Sequence, residues 1–120
     1  MRTISVDLEV IASNYKKIKS LTDAKVMAIV KADAFGHGMI EVSKKLESIG
    51  VDMLATADLE EAQLIREAGI KSPLLAWLHG SETNFAQAIT SNIQIGLSTV
   101  QGLENVAKAA REVSGCAKVH

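Results

Sequence analysis

Short apolar runs recur along this chain at "KVMAIVK", "VDMLATA", "SPLLAWL", "IQIGLS" and "CAKVH", and the stretches between them carry helical periodicity. The runs begin near residues 25, 52, 73, 93 and 116. Their spacing of roughly 20 to 27 residues suits short strand-helix units. Mostly apolar runs of strand length read as strands buried on both faces. No Asn-Gly hairpin signal falls between them, so the strands are expected to lie parallel, with helices outside the sheet. Two architectures satisfy this, an open doubly wound sheet and a closed eight-stranded barrel. A barrel takes about 250 residues. About five strands in 120 residues would therefore be the N-terminal portion of a (β/α)8 barrel, with an unpaired edge at the last strand.

The helical stretches have recognisable ends. Leu8, Ile11, Tyr15 and Ile18 lie on one helical face behind Asp7 as N-cap, after an extended opening, "TISVD". Met39, Val42, Leu46 and Ile49 repeat the period, and Gly50 stands where a C-terminal cap belongs. Asp58 and Glu61 have capping-box spacing ahead of a helix closed by Gly69. A weaker helix is expected around "ETNFAQAITS". Ser98 and Gln101 predict a further capping box before a helix carrying Leu103, Val106, Ala110 and Val113 and ending at Gly115.

Charge and composition exclude several functions. The net charge is -1 with lysine and arginine dispersed, which provides neither a stripe for nucleic acid nor a cationic face for a membrane. No apolar run approaches the roughly 20 residues that cross a bilayer. Aromatic residues are 3% of the chain, too few for base-stacking platforms. Cys116 is the single cysteine, which precludes an internal disulfide; with no signal segment, the expected compartment is the cytoplasm. A small-molecule partner fits best.

Lys31 is the most informative residue. It ends the apolar run "VMAIVK", and ligands of parallel α/β folds gather at the C-terminal ends of strands. Partial desolvation there would favour the neutral amine, the form that attacks a carbonyl. The loop "ADAFGHG" adds Gly36 and Gly38, which let backbone approach a ligand. On position alone, however, a strand-end lysine is more commonly a snorkelling surface residue. A dinucleotide fingerprint fails because Glu41 holds the third glycine position. His37 reads as a loop histidine with a structural hydrogen bond, Asp33 as a polar loop residue and His79 as a solvated turn histidine. Trp77 reads as packing, and Glu60 and Glu61 as a solvated helix start that complements the dipole. No His, Cys or carboxylate at ligand spacing supports a metal.

The stretch "AIVKADAFGHG" resembles the pyridoxal-phosphate lysine motif of the alanine racemases, V-V-K-A-[ND]-A-Y-G-H-G. "VDLEVIASNYKKIK" resembles the family's opening strand and first helix, and "LATADLEEAQLIREAGIKSPLLAW" its second and third strand-helix units. The resemblance covers essentially the whole chain. It implies that residues 1–120 are the N-terminal part of a barrel domain that binds pyridoxal 5'-phosphate, followed in the family by the rest of the barrel and a β-rich domain. It further implies that Lys31 forms an aldimine with the cofactor and then serves as base on one face of the Cα of alanine. The opposite acid/base would be a tyrosine of the partner subunit in a homodimer. The arginine at the pyridine nitrogen and further phosphate loops would come from later strands, so the 120 residues alone are expected to be inactive. At Phe35 the family usually has a tyrosine whose hydroxyl reaches the phosphate; the resemblance makes Phe35 a cofactor-site position that lacks that donor. Two other readings remain. One is a different barrel enzyme of the same cofactor class, a serine or broad-specificity racemase or a decarboxylase; the other is a non-catalytic cofactor-binding barrel.

Overall fold

A computed structural model describes residues 1–80 and 82–120. Four strands, β1 (Met27–Ile29), β2 (Met53–Thr56), β3 (Leu74–Ala76) and β4 (Gln94–Ile95), form one parallel sheet in the order β1-β2-β3-β4. This order decides between the two architectures. A doubly wound sheet reverses direction and places its first strand inside, whereas here each strand joins the outer edge of its predecessor, as in a barrel. The chain is an α/β fold with the strand order of the first part of a (β/α)8 barrel. At the expected fifth strand the structure has an isolated parallel bridge: Val119 pairs with Ile95, with Ile95 N–H donating to the Lys118 carbonyl (3.0 Å) and His120 N–H to that of Ile95 (2.9 Å). The opening "TISVD", expected to be extended, forms no strand; its residues precede the first helix as exposed coil apart from Val6.

The helices are α1 (Leu8–Lys19), α2 (Lys31–Gly36), α3 (Met39–Ser48), α4 (Leu59–Glu67), α5 (Phe85–Thr90) and α6 (Val100–Glu112). Asp7 caps α1 by accepting from the Glu9 and Val10 N–H groups, as its position predicts. The last helix corrects the expectation at Ser98. Its N-cap is Thr99, whose hydroxyl accepts from Gly102 N–H, while Gln101 turns away to Asn105. Both residues are competent caps, and starting one position later brings Val106 and Ala109 to the core, while Leu103 stays 49% exposed.

The two faces of the sheet differ. Ala28, Leu54 and Leu74 align in one row, and Thr56, Ala76 and Ile95 in the next; apart from Thr56, these side chains join the helix-covered core with Val30, Val42, Leu46, Ile65 and Val106. The opposite face carries Met27, Ile29, Ala55 and Leu75, of which Ile29 is 46% exposed. In a barrel this second face is the interior, which explains apolar runs without alternation. Gly96 serves that face: a Cβ there would stand 2.7 Å from the Trp77 Cβ, so only glycine admits the neighbouring strand end.

Candidate functional site

Lys31 does not end β1. The strand closes at Ile29, Val30 N–H extends the ladder to the Ala55 carbonyl (2.9 Å), and Lys31 opens α2. Lys31 is half-buried. Ala32, Asp33, Ala34 and Phe35 then all have φ between 51° and 54°, a left-handed turn made of non-glycine residues. Such a conformation costs roughly 1–2 kcal/mol per residue because Cβ crowds the following carbonyl oxygen. Four in succession persist only where the surroundings impose them.

The imposing contacts are specific. Ala34 N–H donates to the Val30 carbonyl (3.0 Å) and Gly38 N–H to that of Asp33 (3.0 Å). The Asp33 carboxylate accepts from Met39 N–H (2.8 Å), capping α3 where Gly38, at φ 90°, offers no side chain. His37 Nδ1 pairs with the Ala34 carbonyl at 2.8 Å. Asp33 and His37 are thus parts of the turn's frame. A further donor of the turn, Ala32 N–H, goes to the Glu61 carboxylate at 2.7 Å. The other oxygen of Glu61 accepts from Ala57 N–H at 3.1 Å, and its own N–H donates to Asp58 (2.9 Å). Glu61, expected to be a solvated helix-start residue, instead ties the turn after β1 to the end of β2. Capping-box spacing marks it as a residue with a free carboxylate at a helix start, but its partner lies 29 residues away.

The other expected positions separate. Phe35 projects from the turn with 74% exposure. Trp77, expected to be packing, is 38% exposed, its main-chain N–H donating to the Ala57 carbonyl (3.1 Å). His79 is not a solvated turn residue. It is half-buried, edge-on to Phe85 with ring centroids 5.3 Å apart, and its Nε2 lies 3.2 Å from the Ala76 carbonyl. Burial lowers the imidazole below its ordinary 6.5, outweighing the Ala76 and Gly96 carbonyls and the Asp58 charge that pull it up. A cavity of about 640 Å³ lies between α4 and the segment leading into α5, away from Lys31. The position and backbone of Lys31, rather than an enclosed cavity, define the site.

A family model for the alanine racemase N-terminal domain matches residues 6–120. The chain belongs to the alanine racemase family. An alanine racemase of Mycolicibacterium smegmatis is 42% identical over 115 residues, covering 95% of this chain and 30% of the relative. One from Salinispora tropica is 35% identical, covering 98% of this chain and 32% of its own length. The crystal structure of alanine racemase from D-cycloserine-producing Streptomyces lavendulae superposes with a TM-score of 0.92 at 28% identity, over 98% of this chain and 32% of that one. The chain thus spans about a third of the length of these relatives. Among the described residues, no helix is long and apolar enough to cross a membrane.

The donor set fits a carbonyl-bearing cofactor. Lys31 brings a primary amine to the C-terminal end of the sheet and takes part in none of the three ion pairs of the described residues, Lys19–Asp52, Lys45–Glu9 and Lys108–Glu112. Exposed Ile29, at the end of β1, and Trp77 and Leu78, just beyond β3, provide apolar surface at the same end of the sheet.

Proposed function

We propose that residues 1–120 form the N-terminal part of a barrel domain that binds pyridoxal 5'-phosphate and interconverts L- and D-alanine, with Lys31 as covalent anchor and catalytic base. The observation that carries this reading is the placement of Lys31, in a chain of the alanine racemase family, at the head of a strained and internally bonded turn at the C-terminal end of the sheet. The cofactor, when bound, supplies the electron sink for a carbanion at the substrate Cα. Lys31 Nζ would hold the cofactor and would accept or return the Cα proton on one face of the substrate. The α2 turn would fix where that amine emerges. Phe35 offers an aromatic ring and no donor to the phosphate. Racemisation needs a second acid/base on the opposite face; on this reading a tyrosine of the partner subunit supplies it, making the working enzyme a cytoplasmic homodimer.

A broader amino-acid substrate range is the second reading, favoured by one observation. A histidine racemase from Leuconostoc mesenteroides superposes on this chain with a TM-score of 0.78 at 28% identity. Both readings are tested on the full-length gene product supplied with pyridoxal phosphate and L-alanine in deuterium oxide. Decay of optical rotation with deuterium entering at Cα is the expected result, and the isolated 120 residues should show no turnover above free cofactor. Exchange with serine or histidine but not alanine would replace the first reading by the second.

A further inference from the structure

We propose that Glu61 is a positioning residue for Lys31: its carboxylate clamps the Lys31–Ala32 peptide to the end of β2 and thereby aims the Lys31 amine. The proposal rests on the reading of Lys31 as the covalent anchor. Its basis is geometric. The N–H of Ala32 belongs to the same peptide unit as the Lys31 carbonyl, so a bond at 2.7 Å to Glu61 fixes the plane from which the Lys31 side chain departs. The second carboxylate oxygen is anchored by Ala57 N–H at 3.1 Å, one residue beyond β2. Two donors on two successive strand ends therefore converge on one side chain, whose helix is itself fixed by the Asp58 cap.

The clamp sits where the chain has most need of it. Ala32 is the first of four left-handed residues, and the initial N–H of a helical turn has no acceptor within that turn. Without Glu61 the N–H of this first peptide would lose its side-chain acceptor, while Ala34 N–H would still hold the preceding peptide through the Val30 carbonyl. A catalytic amine displaced by about 1 Å loses roughly a hundredfold in rate. The carboxylate charge strengthens both hydrogen bonds relative to neutral acceptors, which glutamine cannot reproduce on its amide nitrogen.

The test uses the full-length protein stripped of cofactor and measures the rate at which added pyridoxal phosphate becomes borohydride-fixable on the Lys31 peptide. Glu61→Ala should slow this step roughly 10- to 100-fold and lower kcat similarly, with KM for alanine within about twofold. Glu61→Gln, which is isosteric and keeps one acceptor, should lose less than half of that on a logarithmic scale; it remains informative should the alanine variant fail to fold. Glu47→Ala is the control, because Glu47 also accepts main-chain N–H groups (Lys71 and Ser72, both 2.7 Å) but at the other end of the sheet. It should lower the melting temperature and leave the labelling rate unchanged. Wild-type rates in both Glu61 variants, or equal slowing by Glu47→Ala, would overturn the proposal. Wild-type protein that never labels at Lys31 would instead remove the anchor reading on which it rests.

Discussion

At the N-terminal end of the sheet, Asp52 accepts from Val26 N–H (2.7 Å) and Lys19 Nζ (2.5 Å), and Glu47 from Lys71 N–H, Ser72 N–H and the Ser72 hydroxyl. At the C-terminal end, Glu61 accepts from Ala32 and Ala57 N–H. Both ends use a carboxylate to catch the main chain beside a strand, yet what they hold differs. The lower carboxylates fix ordinary backbone leading into β1 and β3. The upper one fixes a left-handed turn whose own conformation is unfavourable. A barrel divides its labour in this way, with stability built at the N-terminal face and chemistry at the C-terminal face.

The strongest way to break that contrast is at Arg66. Its guanidinium donates to the carbonyls of Ser91, Ile70, Ser72 and Asn92 at 2.8–3.0 Å, stitching the entries of β3 and β4. Arg66→Ala should cost about 2–3 kcal/mol of unfolding free energy by denaturant titration, with cofactor labelling of the folded protein unchanged. Impaired labelling at full folding would dissolve the distinction between the ends.

The upper end is probed by adding what the motif lacks. Phe35→Tyr supplies the hydroxyl of the family motif and, on the proposed reading of this turn as the cofactor site, should tighten pyridoxal phosphate by on the order of 1.5 kcal/mol, about tenfold in Kd. Equilibrium dialysis would measure it, and no change would show that the ring points away from the phosphate. Ala32→Gly removes one Cβ from the left-handed turn at φ 52°. Relief of crowding, less the entropy glycine gains on unfolding, should raise stability by about 0.5–1 kcal/mol. A loss of stability would mean that the turn is not strained.

Titration should separate the ends with the smallest effect. His79, beyond β3, has its pKa lowered chiefly by burial, so the unfolded chain binds the proton first and stability falls as pH drops below about 6.5. Glu47 and Asp52 are lowered too. At Glu47, burial alone would raise the carboxyl, but the Lys71 and Ser72 donors and the Arg66 charge outweigh it; at Asp52 the Lys19 hydrogen bond leads. Their contribution is therefore full above their ordinary values of 4.5 and 3.8 and is lost as pH falls through the lower folded values. Two acid steps are expected in urea midpoints, and His79→Leu should erase only the upper one.

Much of this arrangement can be read from residues alone, because it depends on local patterns. Apolar runs at regular spacing located all four strands, and Asp7, Asp58, Gly50 and Gly69 marked helix ends by their own backbone chemistry. The motif around Lys31 drew attention to the segment just beyond β1, where Lys31 opens α2. What stayed hidden depends on partners distant in sequence or on an improbable conformation. Nothing in "ADAF" signals four left-handed residues, since alanine and phenylalanine disfavour that region. Glu61 reads as a helix-start carboxylate until β1 is folded beside β2. His79 looks like a turn residue until Phe85 covers it. Ser98 and Thr99 are equivalent as caps until the register of α6 on the core chooses between them.

On the proposed reading, the C-terminal end of the sheet presents Lys31, and no other lysine, as the covalent anchor. Incubating the full-length protein with pyridoxal phosphate, reducing with borohydride and mapping the modified peptide tests it directly. Stoichiometric modification at Lys31 is expected, abolished in Lys31→Ala with stability altered by no more than about 0.5 kcal/mol. Modification dispersed over surface lysines, or undiminished in Lys31→Ala, would contradict it.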